Sequence, residues 1–162
     1  MIEKTFGQMA EGEQYVHRPG AYIICVQGDK AAVVRIPKGF FLLGGGIEQG
    51  ESQEECIHRE VLEEIGYTVE IDGYLCSAEE YREHPSFGYF HPIQYYYVGR
   101  LKEKVAEPVE LDHTLEWIPV EELPGQLYVR SQKWALQQYI SRQENGVGAP
   151  HPDSVGNGYD TE

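Results

Sequence analysis

Basic residues are scarce in this chain of 162 residues: thirteen Lys and Arg stand against twenty-seven Asp and Glu, leaving a formal net charge of −14. That balance argues against a broad nucleic-acid surface, which draws its affinity from Lys and Arg set against phosphates. A small nucleotide carried with a divalent cation stays compatible with it. Cysteine is rarer still. Cys25, Cys56 and Cys76 are odd in number and show no C-x-x-C spacing, which argues against a disulfide framework or a zinc site and for a reducing compartment. No run approaches the roughly 18 consecutive apolar residues of a membrane span, and the first residues lack a charged-then-apolar leader pattern. A cytoplasmic protein without a membrane partner is expected. No internal repeat is present. No Gly-Lys-Ser/Thr follows the glycine run Gly44-Gly45-Gly46, which excludes a triphosphatase P-loop.

What the chain has in abundance is carboxylate, and it is concentrated. Residues 45–67 read GGIEQGESQEECIHREVLEEIGY, with seven glutamates (Glu48, Glu51, Glu54, Glu55, Glu60, Glu63 and Glu64) against one arginine, Arg59. Ser52 followed three residues later by Glu55 is a capping-box pattern that starts a helix, and Gly66 stands where a left-handed cap would end it. At about 3.6 residues per turn, Ile57, Val61 and Ile65 fall on one apolar stripe. Glu60, Glu63 and Glu64 are three and four residues apart and converge beside that stripe. Like charges at those spacings cost an isolated helix about 0.2–0.5 kcal/mol per pair. A solvated acidic face is the ordinary meaning of such a run. A site for a hard divalent cation, Mg²⁺ or Mn²⁺, is the other meaning, because its ligands are all oxygen. Arg59 can reach Glu51 or Glu63 and hold a carboxylate in orientation.

The order of residues separates these two readings. Gly45, then Glu51, then Arg59-Glu60-Val61-Leu62-Glu63-Glu64-Ile65-Gly66 resembles the signature of the Nudix hydrolase family, with Tyr67 as the one departure, where an aliphatic residue is usual. The resemblance implies an α/β fold, an α/β/α sandwich with a mixed β-sheet between helices. It also implies Mg²⁺-dependent hydrolysis of a nucleoside diphosphate linked to another moiety: a nucleoside triphosphate, a nucleotide sugar or a dinucleoside polyphosphate. By the same resemblance Glu60, Glu64 and Glu63 are metal ligands, together with the Gly44 backbone carbonyl. Glu51, and either Glu110 or Glu116, are further candidates. Glu60, Glu63, Glu64 and Arg59 form the expected catalytic group. The general base stays open between Glu63 and the acids before Trp117, namely Glu110, Asp112 and Glu116. A nucleotide- or metal-binding module without turnover is the alternative, but such modules usually lack motif carboxylates that are all present here.

Around the motif the pattern is strand-rich. Ala21–Val26 and Ala31–Ile36 are apolar runs joined by a hairpin-like turn, and Phe40–Leu43, Thr68–Cys76, Gln94–Leu101 and Leu115–Val120 read as further strands. A second helix is expected over Ser131–Gln143. Arg18, placed ahead of the first core strand, is a candidate phosphate contact, and Gly45 and Gly46 allow a ligand close approach to the backbone. Tyr81 to Pro92 reads as a loop mixing aromatics with Arg82, His84 and His91. It is taken as a packed surface loop, with base stacking as the competing role. Residues 1–144 are expected to form one domain, and 145–162, rich in glycine and proline, a flexible tail. The expected partner is a small-molecule nucleotide, and self-association into a homodimer stays open.

Overall fold

The computed structural model describes residues 1–145, so the expected tail beyond Asn145 lies outside the described residues. The elements are β1 (Lys4–Phe6), β2 (Val16–Gln27), β3 (Lys30–Ile36), β4 (Gly39–Gly46), α1 (Gln53–Ile65), β5 (Tyr67–Glu80), β6 (Arg82–His84), β7 (Gly88–Lys104), β8 (Thr114–Pro119), a 3-10 turn (Leu123–Gly125) and α2 (Arg130–Glu144). The sheet runs β1-β5-β7-β2-β4-β3-β8, with β6 paired to β7. It is mixed: β1 with β5 and β2 with β7 are parallel, and the other pairs are antiparallel. The sandwich expected from the resemblance is therefore the architecture found.

Two cores cover the two faces, and strand alternation sorts residues between them. On β2, Ala21, Ile23 and Cys25 join Cys56, Ile57, Val61 and Ile65 of α1. Ile24, with Tyr22 packed beside it, joins Ala135 and Leu136 of α2. The apolar stripe read from α1 is thus its buried face. Among the described residues no helix is long and apolar enough to cross a membrane.

Two expectations need correction. Arg18 does not precede the first core strand; it lies inside β2, which starts at Val16 and pairs in parallel with β7 from Val16–Phe90 to Cys25–Gly99. Nor is Tyr81–Pro92 a loop. It folds as a hairpin in which Arg82, Glu83 and His84 pair with Phe90, Tyr89 and Gly88. Pro92 falls where β7 changes neighbours: pairing with β5 reaches Ile93 and pairing with β6 resumes at Phe90. A residue without an N–H is tolerated at such a gap.

Candidate active site

The α1 helix is fixed at both ends before it carries any load. Ser52 Oγ accepts from Glu55 N–H at 3.0 Å while Glu55 Oε1 accepts from Ser52 N–H at 2.9 Å. Gly66 closes the other end at φ 75°. Val109 and Glu110 then donate their N–H groups to Glu63 O, at 2.8 and 3.2 Å, bringing the loop before β8 over the last turn. Glu63 and Glu64 sit in that turn, where the helix carries partial negative charge and basic residues are absent. Placed there, they oppose the helix dipole and one another.

Two glycines of β4 bring the strand against this turn. Gly44 holds φ 139°, and a Cβ there would lie 2.3 Å from Ala21 O. Its N–H donates to Glu64 Oε1 at 3.1 Å. At Gly45 a Cβ would come within 2.4 Å of the Glu60 carboxyl carbon, so the Glu60 side chain occupies the space a larger residue would fill. Arg59 gathers the rest. Its Nε and Nη2 take both oxygens of Glu51 (2.6 and 2.9 Å), its Nη1 reaches Glu60 Oε2 (3.0 Å) and Glu63 Oε1 (3.2 Å), and Nη2 also donates to Gly46 O (2.9 Å). The bidentate pair holds the Glu51 carboxyl down at about 2.

Glu64 is left without such support. It is buried, and no Lys or Arg pairs with it among the described residues; its nearest base is His113 Nε2 at 3.8 Å. Burial first, then Glu60, Glu110 and Glu63, pushes its carboxyl well above the usual range despite the Gly44 N–H. Glu60 is raised as well, by burial first, with Arg59 opposing. Glu110, Asp112 and His113 place one ligand atom each within 4.8 Å of one another. Glu110 thus belongs with the α1 carboxylates. Glu116 does not: it pairs with Arg35, and it stands opposite Val33, on the α2 face of the sheet.

The donor set fits a hard divalent cation. Clustered carboxylates with one arginine among them, one of them buried and paired with no Lys or Arg among the described residues, are what such an ion relieves. Beside them opens a cleft of about 290 Å³, whose lining includes Glu64, Gly44, Gly46, Arg18, Arg82 and Phe90. Arg18 and Arg82 lie over the rings of Phe87 and Phe90, at 5.3 and 5.0 Å from the centroids. Other lining residues carried no sequence signal. Tyr22, Gln94 and Gln132 read as strand and helix filler, since what places them is pairing with segments far along the chain.

Three comparisons bear on this site. A NUDIX domain model matches residues 16–138. The chain is 29% identical over 140 residues to an NAD-capped RNA hydrolase NudC of Stutzerimonas stutzeri, covering 83% of this chain and 47% of that one. It is 39% identical over 56 residues to a nucleoside triphosphatase NudI of Enterobacter sp., covering 35% and 38%. The chain thus spans about half the length of the NudC relatives it matches. A MutT NUDIX hydrolase from Burkholderia pseudomallei shares the fold, with a TM-score of 0.64, 24% identity and coverage of 78% and 98%.

Proposed function

The chain belongs to the NUDIX domain family, and from that premise we propose that it hydrolyses a phosphate anhydride bond in a nucleoside diphosphate derivative, with Mg²⁺ or Mn²⁺ as cofactor. The observation that carries this reading is Glu64: a buried carboxylate with no Lys or Arg partner among the described residues, held by Gly44 N–H and surrounded by Glu60, Glu63 and Glu110. Glu60, Glu63 and Glu64 would hold the ion, with Glu51 and Glu110 beside them. When bound, the ion neutralises phosphate charge and lowers the pKa of an attacking water.

The chain's own residues do the rest. Arg59 fixes Glu51, Glu60 and Glu63 in one orientation, so the carboxylates need little rearrangement when substrate arrives. Glu63 is partly exposed at the helix end; Arg59 holds its Oε1, leaving Oε2 to accept a proton from water, and Glu110 lies close by as the other base. Water adds to one phosphorus, the bridging P–O bond breaks, and the anhydride leaves as two phosphate-bearing products. Arg18, beside Gly46, and Arg82 line the same cleft and supply cationic contacts for phosphates. The names of the NudC and NudI relatives, an NAD-capped RNA hydrolase and a nucleoside triphosphatase, support a nucleotide anhydride as the bond cut.

The test is phosphate release from a panel of nucleoside triphosphates, nucleotide sugars and dinucleotides with Mg²⁺ or Mn²⁺, together with calorimetric titration of the ions. Turnover by both Glu63→Gln and Glu64→Gln at the wild-type rate would falsify the proposal.

A further inference from the structure

The cleft beside α1 has a floor built from neutral amides, and their orientation can be worked out. Tyr96 is fully buried, and among the described residues its hydroxyl has one partner, Ser131 Oγ at 2.6 Å. A buried O–H left without an acceptor costs about 1–3 kcal/mol, so Tyr96 donates to Ser131. The Ser131 hydrogen is then committed to Gln94 Oε1, at 2.5 Å. With its oxygen taken, Gln94 turns Nε2 toward the Tyr22 hydroxyl oxygen, which accepts one of its two hydrogens and leaves the other for the cleft. Gln132, only 2% exposed, is fixed in the same sense: its Oε1 accepts from Leu42 N–H at 2.8 Å. Its Nε2 finds no acceptor among the described residues, and Gln132 lines the cleft.

A third donor and one acceptor complete the set. The Tyr22 hydroxyl rests over Gly20, where a Cβ would lie 3.2 Å from it, and Gly20 is the β2 partner of Gln94. Glu80 lies diagonal to Gln94, two residues beyond its β5 partner Ala78, and faces the same cleft. Its Oε2 is held by Arg130 at 3.0 and 2.8 Å, and its Oε1 forms a looser ion pair with Arg82 Nε at 3.6 Å, longer than a hydrogen bond.

We infer that this floor reads the lactam edge of an oxo nucleobase, a ring carbonyl beside a ring N–H, as in hypoxanthine, guanine or uracil. The amide and phenol hydrogens meet the carbonyl oxygen, and Glu80 meets the N–H. Adenine and cytosine present the reverse order, an amino donor beside an unprotonated ring nitrogen, and set hydrogen against hydrogen over Gln94 and Gln132. A site built of buried donors discriminates strongly against a base that leaves them unpaired. This inference takes the cleft as the nucleotide site and so rests on the function proposed above.

The experiment compares two pairs that differ in this edge, inosine with adenosine and uridine with cytidine. Dissociation constants are measured for the four 5′-monophosphates, which contain no anhydride bond, and kcat/KM for the four triphosphates with Mg²⁺. The oxo member of each pair is expected to bind and turn over at least tenfold better. Gln132→Glu keeps an acceptor for Leu42 N–H but removes the amide hydrogens, and should cut the preference at least tenfold. Monophosphate binding with equal or reversed preference overturns the inference, as does binding of none of the four. Oxo preference in binding without any hydrolysis leaves it standing and sinks the hydrolase reading alone. Should Gln132→Glu fail to fold, the wild-type ratios decide the matter.

Discussion

The two helices cover opposite faces of one sheet and are finished by different means. At α1 there is a capping box at Ser52 and a left-handed cap at Gly66. At α2 Val129 gives no side-chain cap, and Asn145 ends the helix at φ −87°. The burdens differ in the same direction. The helix held at both ends carries carboxylates that repel one another along its exposed flank and buries one of them, Glu64. The other buries only neutral polar groups, Ser131 and Gln132, each hydrogen-bonded across the sheet. Local sequence therefore stabilises α1 against its own charge, whereas α2 is held by what it packs on. Both helices reach the same cleft, one bringing charge and the other neutral hydrogen bonding.

The sharpest way to break this contrast is to replace the buried polar group on each helix. Glu64→Gln should lower turnover by on the order of a hundredfold or more. Its thermal midpoint without metal should be unchanged or raised, because the amide still accepts from Gly44 N–H and a buried repulsion is gone. Gln132→Leu should do the opposite to stability, losing about 1–3 kcal/mol in urea unfolding by stranding Leu42 N–H. Equal destabilisation by both variants in metal-free protein would end the distinction.

Gly45→Ala comes next. Its methyl would press on the Glu60 carboxyl, so a loss of about 1–3 kcal/mol is expected in denaturant melts, with weaker Mg²⁺ binding by calorimetry.

Glu51 gives a pH-resolved test. Its folded carboxyl is lowered from 4.5 to about 2, chiefly by Arg59. The unfolded chain therefore binds the proton more readily, and the stabilisation is complete above about pH 4.5 and lost as pH falls toward 2. Glu51→Gln, compared with wild type in EDTA, should be less stable by about 1.5–3 kcal/mol at pH 7. The gap should close below pH 4.5; a gap that stays constant to pH 2.5 would assign the effect to packing instead. The smallest effect belongs to Ser52→Ala, about 1 kcal/mol from the lost cap.

What the sequence disclosed follows the same division. Ser52, Glu55, Gly66 and the Ile57–Val61–Ile65 stripe are related at short range, and α1 was legible from them. So was the grouping of Glu60, Glu63 and Glu64, because helical spacing alone sets it. Glu110 and Glu116 looked equivalent, since nothing local reveals that one sits beside the Glu63 carbonyl and the other pairs with Arg35. The hairpin of β6 and β7 was hidden because its mix of aromatics with Arg82, His84 and His91 shows no strand alternation, and its pairing depends on which neighbour each residue has in the sheet. Gln132 was the least visible of all: it reads as one more polar residue on a helix until Leu42, ninety positions away, hands it an N–H.

The central strand β2 has a consequence for how such a cleft diversifies. It is hydrogen-bonded to β7 on one side and β4 on the other, and Arg18, Gly20 and Tyr22 meet the cleft on alternate rungs. Gaining or losing one residue between Arg18 and Tyr22 would turn Tyr22 toward Cys56 and Ala21 toward the ligand. Insertions and deletions are therefore barred from the strand that lines the binding face. Change of ligand must proceed by exchanging side chains on fixed rungs, while change of reach is left to the turn at Pro85–Phe87 between β6 and β7, whose length no second strand constrains. Chemistry and reach can then vary as separate traits.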